Sequence, residues 1–257
     1  MLRRLYCKLD FAENNIQKYI QGDALQGVIM ERIDEDAANE LHSQSLNPYS
    51  QFLDIRKDGI YWIIQTLTEQ AGQQIIEPLA STEFSSFHLN RMDIDISISN
   101  KEQSEILLKD LVNRFYFDMS ERIFRIRFLT PTAFKSGGEY IFHPDLRLLF
   151  GSLMRKYSFT YENTGEEDTE ALDSLVENTK IINYNLRSVY SEIGRVRIPA
   201  FIGTISIKST GPQSLVNYMH FLLRFGEYSG AGIKCAMGMG AMKIIEKSER
   251  RGLTNAE

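Results

Sequence analysis

Residues 51–68, QFLDIRKDGIYWIIQTLT, set two runs rich in β-branched and aromatic residues on either side of Asp58-Gly59. An Asp-Gly pair so placed is the strongest short-range hairpin signal, because the tight turn that matches strand twist needs positive φ. That fixed point orders what flanks it. Upstream, RRLYCKLDF (3–11) reads as a strand, followed by a helix from about Glu13 to Glu31 with apolar Ile16, Ile20, Val28 and Met30. Downstream, EQAGQQIIEPLA (69–80) fits a short second helix, and FHLNRMDIDISIS (87–99) alternates Met92, Ile94, Ile96 and Ile98 with polar neighbours, the period of a half-buried strand. The order β-α-β-β-α-β is the split, ferredoxin-like pattern.

The pattern then starts again. After a helix at SEILLKDLVNRF (104–115), RIFRIRFLT (122–130) supplies a strand and HPDLRLLFGSLMRKY (143–157) a helix, with Pro144 and Asp145 suited to its first turn. DTEALDSLVENTK (168–180) extends the helical content, RVRIPAFIGTISIKS (195–209) is β-rich, PQSLVNYMHFLLRFGEYS (212–229) is amphipathic, and AMKIIE (241–246) closes the chain with a strand. An α+β class with two tandem ferredoxin-like (RRM-like) domains, 1–118 and 119–257, is the most economical architecture.

At 257 residues and 43% hydrophobic content, either domain has ample core. No run reaches the ~18 apolar residues of a membrane span, and MLRRLYCKLDF lacks the apolar centre of a signal peptide, so a cytoplasmic protein away from membranes is expected. Cys7 and Cys235 form no C-x-x-C pair, which points away from a disulfide framework or a zinc site. The net charge of −5 divides unevenly, −9 over residues 1–121 and +4 over 122–257, the latter despite the acidic run YENTGEEDTEALD (161–173). Basic residues of the second half are thus free to gather on one face, which is compatible with a nucleic-acid partner.

SGAGIKCAMGMGAMKII (229–245) places Gly230, Gly232, Gly238 and Gly240 around Lys234. A Walker loop needs Lys-Ser/Thr after its second glycine, where Met239 stands; a dinucleotide fingerprint needs a third glycine where Cys235 stands. From spacing alone, a glycine-rich turn before a final strand remains equally open.

Three segments resemble the CRISPR-associated endoribonucleases that cut repeat transcripts into guide RNAs, members of the repeat-associated (RAMP) superfamily: GEYSGAGIKCAMGMGAMKI, FLTPTAFKSGGEYIFHPDLRLLFGSLMRKY and LQGVIMERIDEDAANELHSQSLNPYSQFLDI. The combination is similar to the form that accompanies type III effector complexes. The resemblance implies CRISPR repeat RNA as partner, no cofactor or metal, and two ferredoxin-like domains; it is compatible with a homodimer and with transient association with a type III complex. It also implies that the glycine stretch meets RNA, with Gly230, Gly232, Gly238 and Gly240 letting backbone approach phosphate and Lys234 adding charge. Close packing between the domains is the competing role for these glycines.

In this family's chemistry the RNA 2′-hydroxyl is the nucleophile, and cleavage leaves a 2′,3′-cyclic phosphate and a 5′-hydroxyl. A histidine suits the proton transfer, with a pKa near ~6.5. His42, in NELHSQSLNPYSQF after the first helix, matches the family's catalytic histidine. His143, near Lys135, is the reserve; His88 and His220 sit in the apolar stretches FSSFHL and YMHFLL and read as structural. Some family members carry a tyrosine upstream of the histidine and a lysine shortly downstream. Here Tyr19 lies well back, position 48 is proline and the next lysine is Lys57, so the general acid is unassigned; Tyr49 is the hydroxyl candidate, a packed turn tyrosine its alternative. Lys135 and Ser136 in AFKSGGEY are candidate RNA contacts, whereas Arg122, Arg125 and Arg127, Arg155-Lys156 and Arg195/Arg197 fit ordinary solvated faces as well as a basic surface. A non-catalytic RAMP-type RNA-binding subunit of an effector complex is the alternative function; a metabolic enzyme finds no cofactor motif.

Overall fold

A computed structural model describes residues 1–11, 22–44, 46–117 and 119–246. The first sheet has the order β2-β3-β1-β5-β4, built from β1 (Leu2–Phe11), β2 (Tyr49–Arg56), β3 (Gly59–Thr66), β4 (Ser86–Leu89) and β5 (Ile94–Ile106). Along β1, Leu5, Cys7 and Leu9 turn to one face, where α1 (Gly22–Arg32) and a helical segment cover them. That segment runs from α3 (Glu69–Ala71) through one π turn (Gly72–Ile76) into α4 (Glu77–Ala80). Leu25, Val28, Ile29, Ile75, Ile76 and Leu79 supply the helical side of this core. A short helix α2 (Glu35–Ser43) precedes β2, its start capped by Asp34, whose side chain accepts from the Asp36 amide.

The second sheet has the order β11-β6-β10-β9, from β6 (Ile123–Thr132), β9 (Thr179–Ile193), β10 (Val196–Ser209) and β11 (Met242–Ile244). It is covered on one face by α6 (Leu146–Glu162) and α8 (Gln213–Ser229) through Leu149, Phe150, Leu153, Met219, Leu222 and Leu223, with α7 (Thr169–Glu177) beside them. Asp145 caps α6 by accepting from the Leu148 amide at 2.9 Å. A hairpin of β7 (Phe134–Ser136) and β8 (Glu139–Ile141) turns at Gly137-Gly138, both at positive φ. Within each sheet the central strands follow the ferredoxin-like order, so the chain contains two such folds in tandem. The open faces of the two sheets meet where Tyr6, Phe52 and Ile63 pack on Leu129 and Ala241. Leu111 of α5 (Leu108–Phe117) lies in the second core.

Some elements differ from the sequence expectation. The helix expected over 13–31 is described only from Gly22; its first part lies outside the described residues. The hairpin turns at Lys57-Asp58, with Arg56 opposite Gly59, one residue before the pair that signalled it. The expected strand 87–99 is broken by a turn at Asn90–Asp93, where Asp93 has φ 53°, so Met92 is a turn residue. β5 runs on to Ile106, into the stretch expected to be helical. β9, a strand of 15 residues, stands where none was expected. Among the described residues no helix is long and apolar enough to cross a membrane.

Candidate active site

α8 ends at Gly230, and the glycine stretch folds back beneath its own helix. Ala231 donates to the Gly240 carbonyl at 2.8 Å, Ile233 to Ala133 at 3.0 Å, and Gly240 to Pro131 at 2.9 Å. The Gly232 amide donates to Ser152 Oγ at 2.9 Å. Lys234, in the left-handed region at φ 58°, starts a 3₁₀ turn over Cys235–Met237. Two glycines are required sterically: a Cβ at Gly240 would stand 2.1 Å from the Ala231 oxygen, and one at Gly232 2.2 Å from the Ala133 oxygen. The amides of Gly230, Gly232, Gly238 and Gly240 are all engaged within the protein. The loop donors with no protein acceptor among the described residues are those of Lys234, Cys235 and Ala236.

The end of α8 is stitched to the first domain through its last carbonyls, which a helix leaves without partners of its own. The Glu227 oxygen accepts from Arg4 at 3.0 Å and Gln65 at 2.5 Å, and the Tyr228 oxygen from Ser50 at 2.5 Å. Lys156, only 7% exposed, donates to the Ser229 and Gly230 oxygens and to Cys235 Sγ. Gln51 joins the domains directly: its Nε2 donates to Gly22 O at 2.7 Å and Ala236 O at 3.1 Å, while Trp62 Nε1 donates to its Oε1 at 2.9 Å.

Between these joined parts lies a cavity of about 470 Å³. One wall is Leu41, Gln44, Leu46, Asn47 and Tyr49, the end of α2 and the approach to β2; the other includes Phe134, Lys135, Ser152, Arg155, Lys156, Gly232, Lys234 and Cys235. Among the described residues, four cations and no carboxylate line it. Arg155 is paired with Glu167, but none of the three lysines has a carboxylate partner among the described residues. The Tyr49 hydroxyl accepts from Gln26 Nε2 at 3.1 Å, and burial pushes its pKa up to about 12. Gln44 Oε1 and Asn47 Oδ1 are buried and have no hydrogen-bond partner among the described residues.

Of the residues expected from sequence, the cavity gathers Tyr49, Lys135, Gly232 and Lys234. The His42 backbone is in the last turn of α2, beside the lining residue Leu41; its side chain lies outside the described set, as does Tyr19. Ser136 is exposed on β7, and Gly230, Gly238 and Gly240 are absent from the lining. His143 is exposed and also absent from it. His88 pairs with Asp95 and Asp93. His220 packs on Phe124 and bonds Ser120, and burial lowers its pKa to about 4. Arg122 donates to the Gly211 carbonyl, and Arg197 stacks over Tyr190 at 3.9 Å, so neither residue lines the cavity. Sequence reasoning missed Gln44, Asn47 and Gln51, since lone amides carry no motif.

The family model described as "CRISPR-associated endoribonuclease Cas6" matches residues 126–242. The chain is 36% identical to a Cas6 endoribonuclease of Streptococcus thermophilus, over 94% of this chain and 99% of that one. With a Mycobacterium tuberculosis Cas6 endoribonuclease it shares 37% identity, over 87% of this chain and 71% of the relative. A solved Cas6 product complex has a similar fold, with a TM-score of 0.78 at 19% identity, covering 95% of this chain and 100% of that one.

Proposed function

The chain belongs to the CRISPR-associated endoribonuclease Cas6 family, and from that membership in repeat-RNA processing we propose the chemistry by which it cuts. The 2′-hydroxyl before the cut gives its proton to His42, and its oxygen attacks the adjacent phosphorus. The P–O5′ bond breaks and the departing oxygen takes up a proton, leaving a 2′,3′-cyclic phosphate and a 5′-hydroxyl. RNA supplies the nucleophile and an imidazole the base, so the scheme needs no metal ion. Lys135 and Lys234 hold the phosphate and offset the charge that builds on it, which is the larger part of many such accelerations. Tyr49, kept neutral by burial, contributes a hydrogen bond rather than a proton.

The observation that carries this reading is the sign of the cavity. Three lysines without carboxylate partners among the described residues face it, one of them almost wholly buried, opposite the helical turn that holds His42. A buried cation without a counter-charge is costly, and a bound phosphate relieves that cost. Ser136 and the amides of Lys234, Cys235 and Ala236 belong to the same proposed RNA contact, with Gly230, Gly238 and Gly240 giving the loop its shape.

Replacing the 2′-hydroxyl before the cut with hydrogen should abolish cleavage and leave binding nearly intact. His42→Ala should lower the single-turnover rate by about 10²–10⁴, and chelation by EDTA should change it little. Normal cutting of the deoxy substrate, or a divalent ion needed for the chemical step, would sink the mechanism. Tight binding of the cognate repeat without any cutting would favour the RNA-binding subunit instead; loss of activity in His143→Ala but not His42→Ala would move the base. The same reading has the protein act in the cytoplasm and is compatible with a homodimer and with transient association with a type III effector complex. Sedimentation with and without RNA, and co-purification with effector subunits, test those parts.

A further inference from the structure

Gln51 stands where the two walls of the cavity are tied together. It lies on β2, two residues after the lining residue Tyr49, and is 1% exposed. Its Nε2 donates one proton to Gly22 O at 2.7 Å, at the start of α1, and the other to Ala236 O at 3.1 Å, in the 3₁₀ turn of the glycine loop. Trp62 Nε1 donates to its Oε1 at 2.9 Å, which fixes the end of the amide that faces the two carbonyls. Two acceptors and one donor around a single buried side chain call for a neutral amide, since a carboxylate has no proton to give and an ammonium has no lone pair. The backbones of the two domains meet at the same point: a Cβ at Gly22 would stand 2.0 Å from the Met237 oxygen and 2.9 Å from the Gly238 Cα.

We propose that Gln51 is a positioning residue for cleavage, its amide setting the distance between the helical turn that holds His42 and the glycine-loop turn that receives the scissile phosphate. This rests on the reading that His42 is the base and that the amides of Lys234, Cys235 and Ala236 meet that phosphate. Those three amides have no acceptor among the described residues, and Ala236 is the residue whose carbonyl Gln51 holds. Lys156 anchors the same turn from the second domain through Cys235 Sγ, and Gln51 supplies the hold from the first. His42 and Tyr49 belong to the stretch of chain that leads into Gln51. In-line attack needs the reacting atoms about 3–3.5 Å apart, and a misplacement of about 1 Å costs on the order of 10²-fold. Buried as it is, Gln51 acts through the turn it holds and not on the RNA.

The test separates rate from binding and from stability. Gln51→Met keeps the length of the side chain and removes all three bonds. At saturating repeat RNA its single-turnover rate should fall about 10–100-fold. Its Kd and its salt dependence should stay close to those of wild type, because the other phosphate contacts of the repeat are untouched. Leu175→Ala, in the second-domain core on α7 and away from the cavity lining, is the control: it should lower the thermal midpoint and leave the rate of the folded protein unchanged. Should Gln51→Met fail to fold, Trp62→Phe keeps Gln51 and an aromatic ring but removes the N–H that orients the amide. It should lower the same rate roughly three- to tenfold. A wild-type rate in the variants that fold, or an equal loss of rate in Leu175→Ala, would make Gln51 a structural residue only. Weaker binding with no change of rate at saturation would also overturn the proposal. Any of these, in a protein whose cleavage still requires His42 and the 2′-hydroxyl, defeats the positioning role and leaves the cleavage mechanism standing.

Discussion

The two walls of the cavity are built to different standards of completeness. On the second-domain wall the amides of Gly230, Ala231, Gly232, Ile233, Gly238, Met239 and Gly240 are all bonded, and Lys156 is held by three acceptors. The first-domain wall ends a nine-residue helix at Gln44, where two buried amide oxygens have no hydrogen-bond partner among the described residues. Shape and positive charge therefore come from a wall whose glycine amides are bonded within the protein, with the amides of Lys234, Cys235 and Ala236 as the loop donors left without an acceptor among the described residues, while the opposite wall carries the turn that holds His42. A preformed charge costs no reorganisation when the phosphate becomes more negative, which is why the cationic wall gains from rigidity.

The comparison breaks first if the closed wall can be altered without loss. Gly240→Ala puts a Cβ against the Ala231 oxygen at a backbone φ of 72°. Strain and clash together should cost roughly 2–4 kcal/mol and lower the thermal midpoint by about 5–15 °C. Gly137→Ala is the control: its φ is 57° and nothing stands within 4 Å of the added carbon, so only the conformational term, about 1 kcal/mol, should appear. Equal midpoints for the two variants would show that the glycine loop yields, and that its bonds do not fix the wall.

That difference between walls was only partly legible in the sequence. The alternation of Leu5, Cys7 and Leu9, the Asp-Gly hairpin and the Asp145 cap are local signals, and each forms at or within one residue of its expected place. β9 was not legible, because it is an edge strand with much of its surface in solvent: Lys180, Asn183, Asn185, Arg187 and Glu192 carry no apolar period. The glycines announced a special backbone, yet spacing says nothing about whether an amide is engaged; that depends on Pro131, Ala133 and Ser152, about a hundred residues away. Gln51 illustrates the same limit, since its partners Gly22 and Ala236 come from opposite ends of the chain.

Charge on the closed wall can be probed without touching its packing. Lys234 is exposed and has no carboxylate partner among the described residues, so Lys234→Ala should leave the thermal midpoint unchanged. Repeat binding should weaken several-fold, and the slope of log affinity against log salt should fall by about one unit, the signature of one lost phosphate contact. An unchanged slope would move Lys234 from binding to loop geometry, where its positive φ already gives it a structural part.

The smallest effect is expected at the hydroxyl of the open wall. Tyr49 is 1% exposed and already accepts from Gln26, and its pKa of about 12 means that it releases no proton near neutral pH. A hydroxyl held neutral can donate one hydrogen bond to a phosphate oxygen, worth about 1 kcal/mol, or roughly fivefold in rate. Tyr49→Phe keeps the ring in its packed place and removes only that bond, while leaving Gln26 Nε2 without its acceptor. The single-turnover rate should therefore fall by less than about tenfold, and the pH–rate profile should keep its shape up to about pH 10, because no group titrating there has been removed. A loss as large as that expected for His42→Ala, with the alkaline limb displaced, would make Tyr49 a proton donor in spite of its burial. It would then place both proton-transfer groups on the open wall, leaving the closed wall to electrostatics alone.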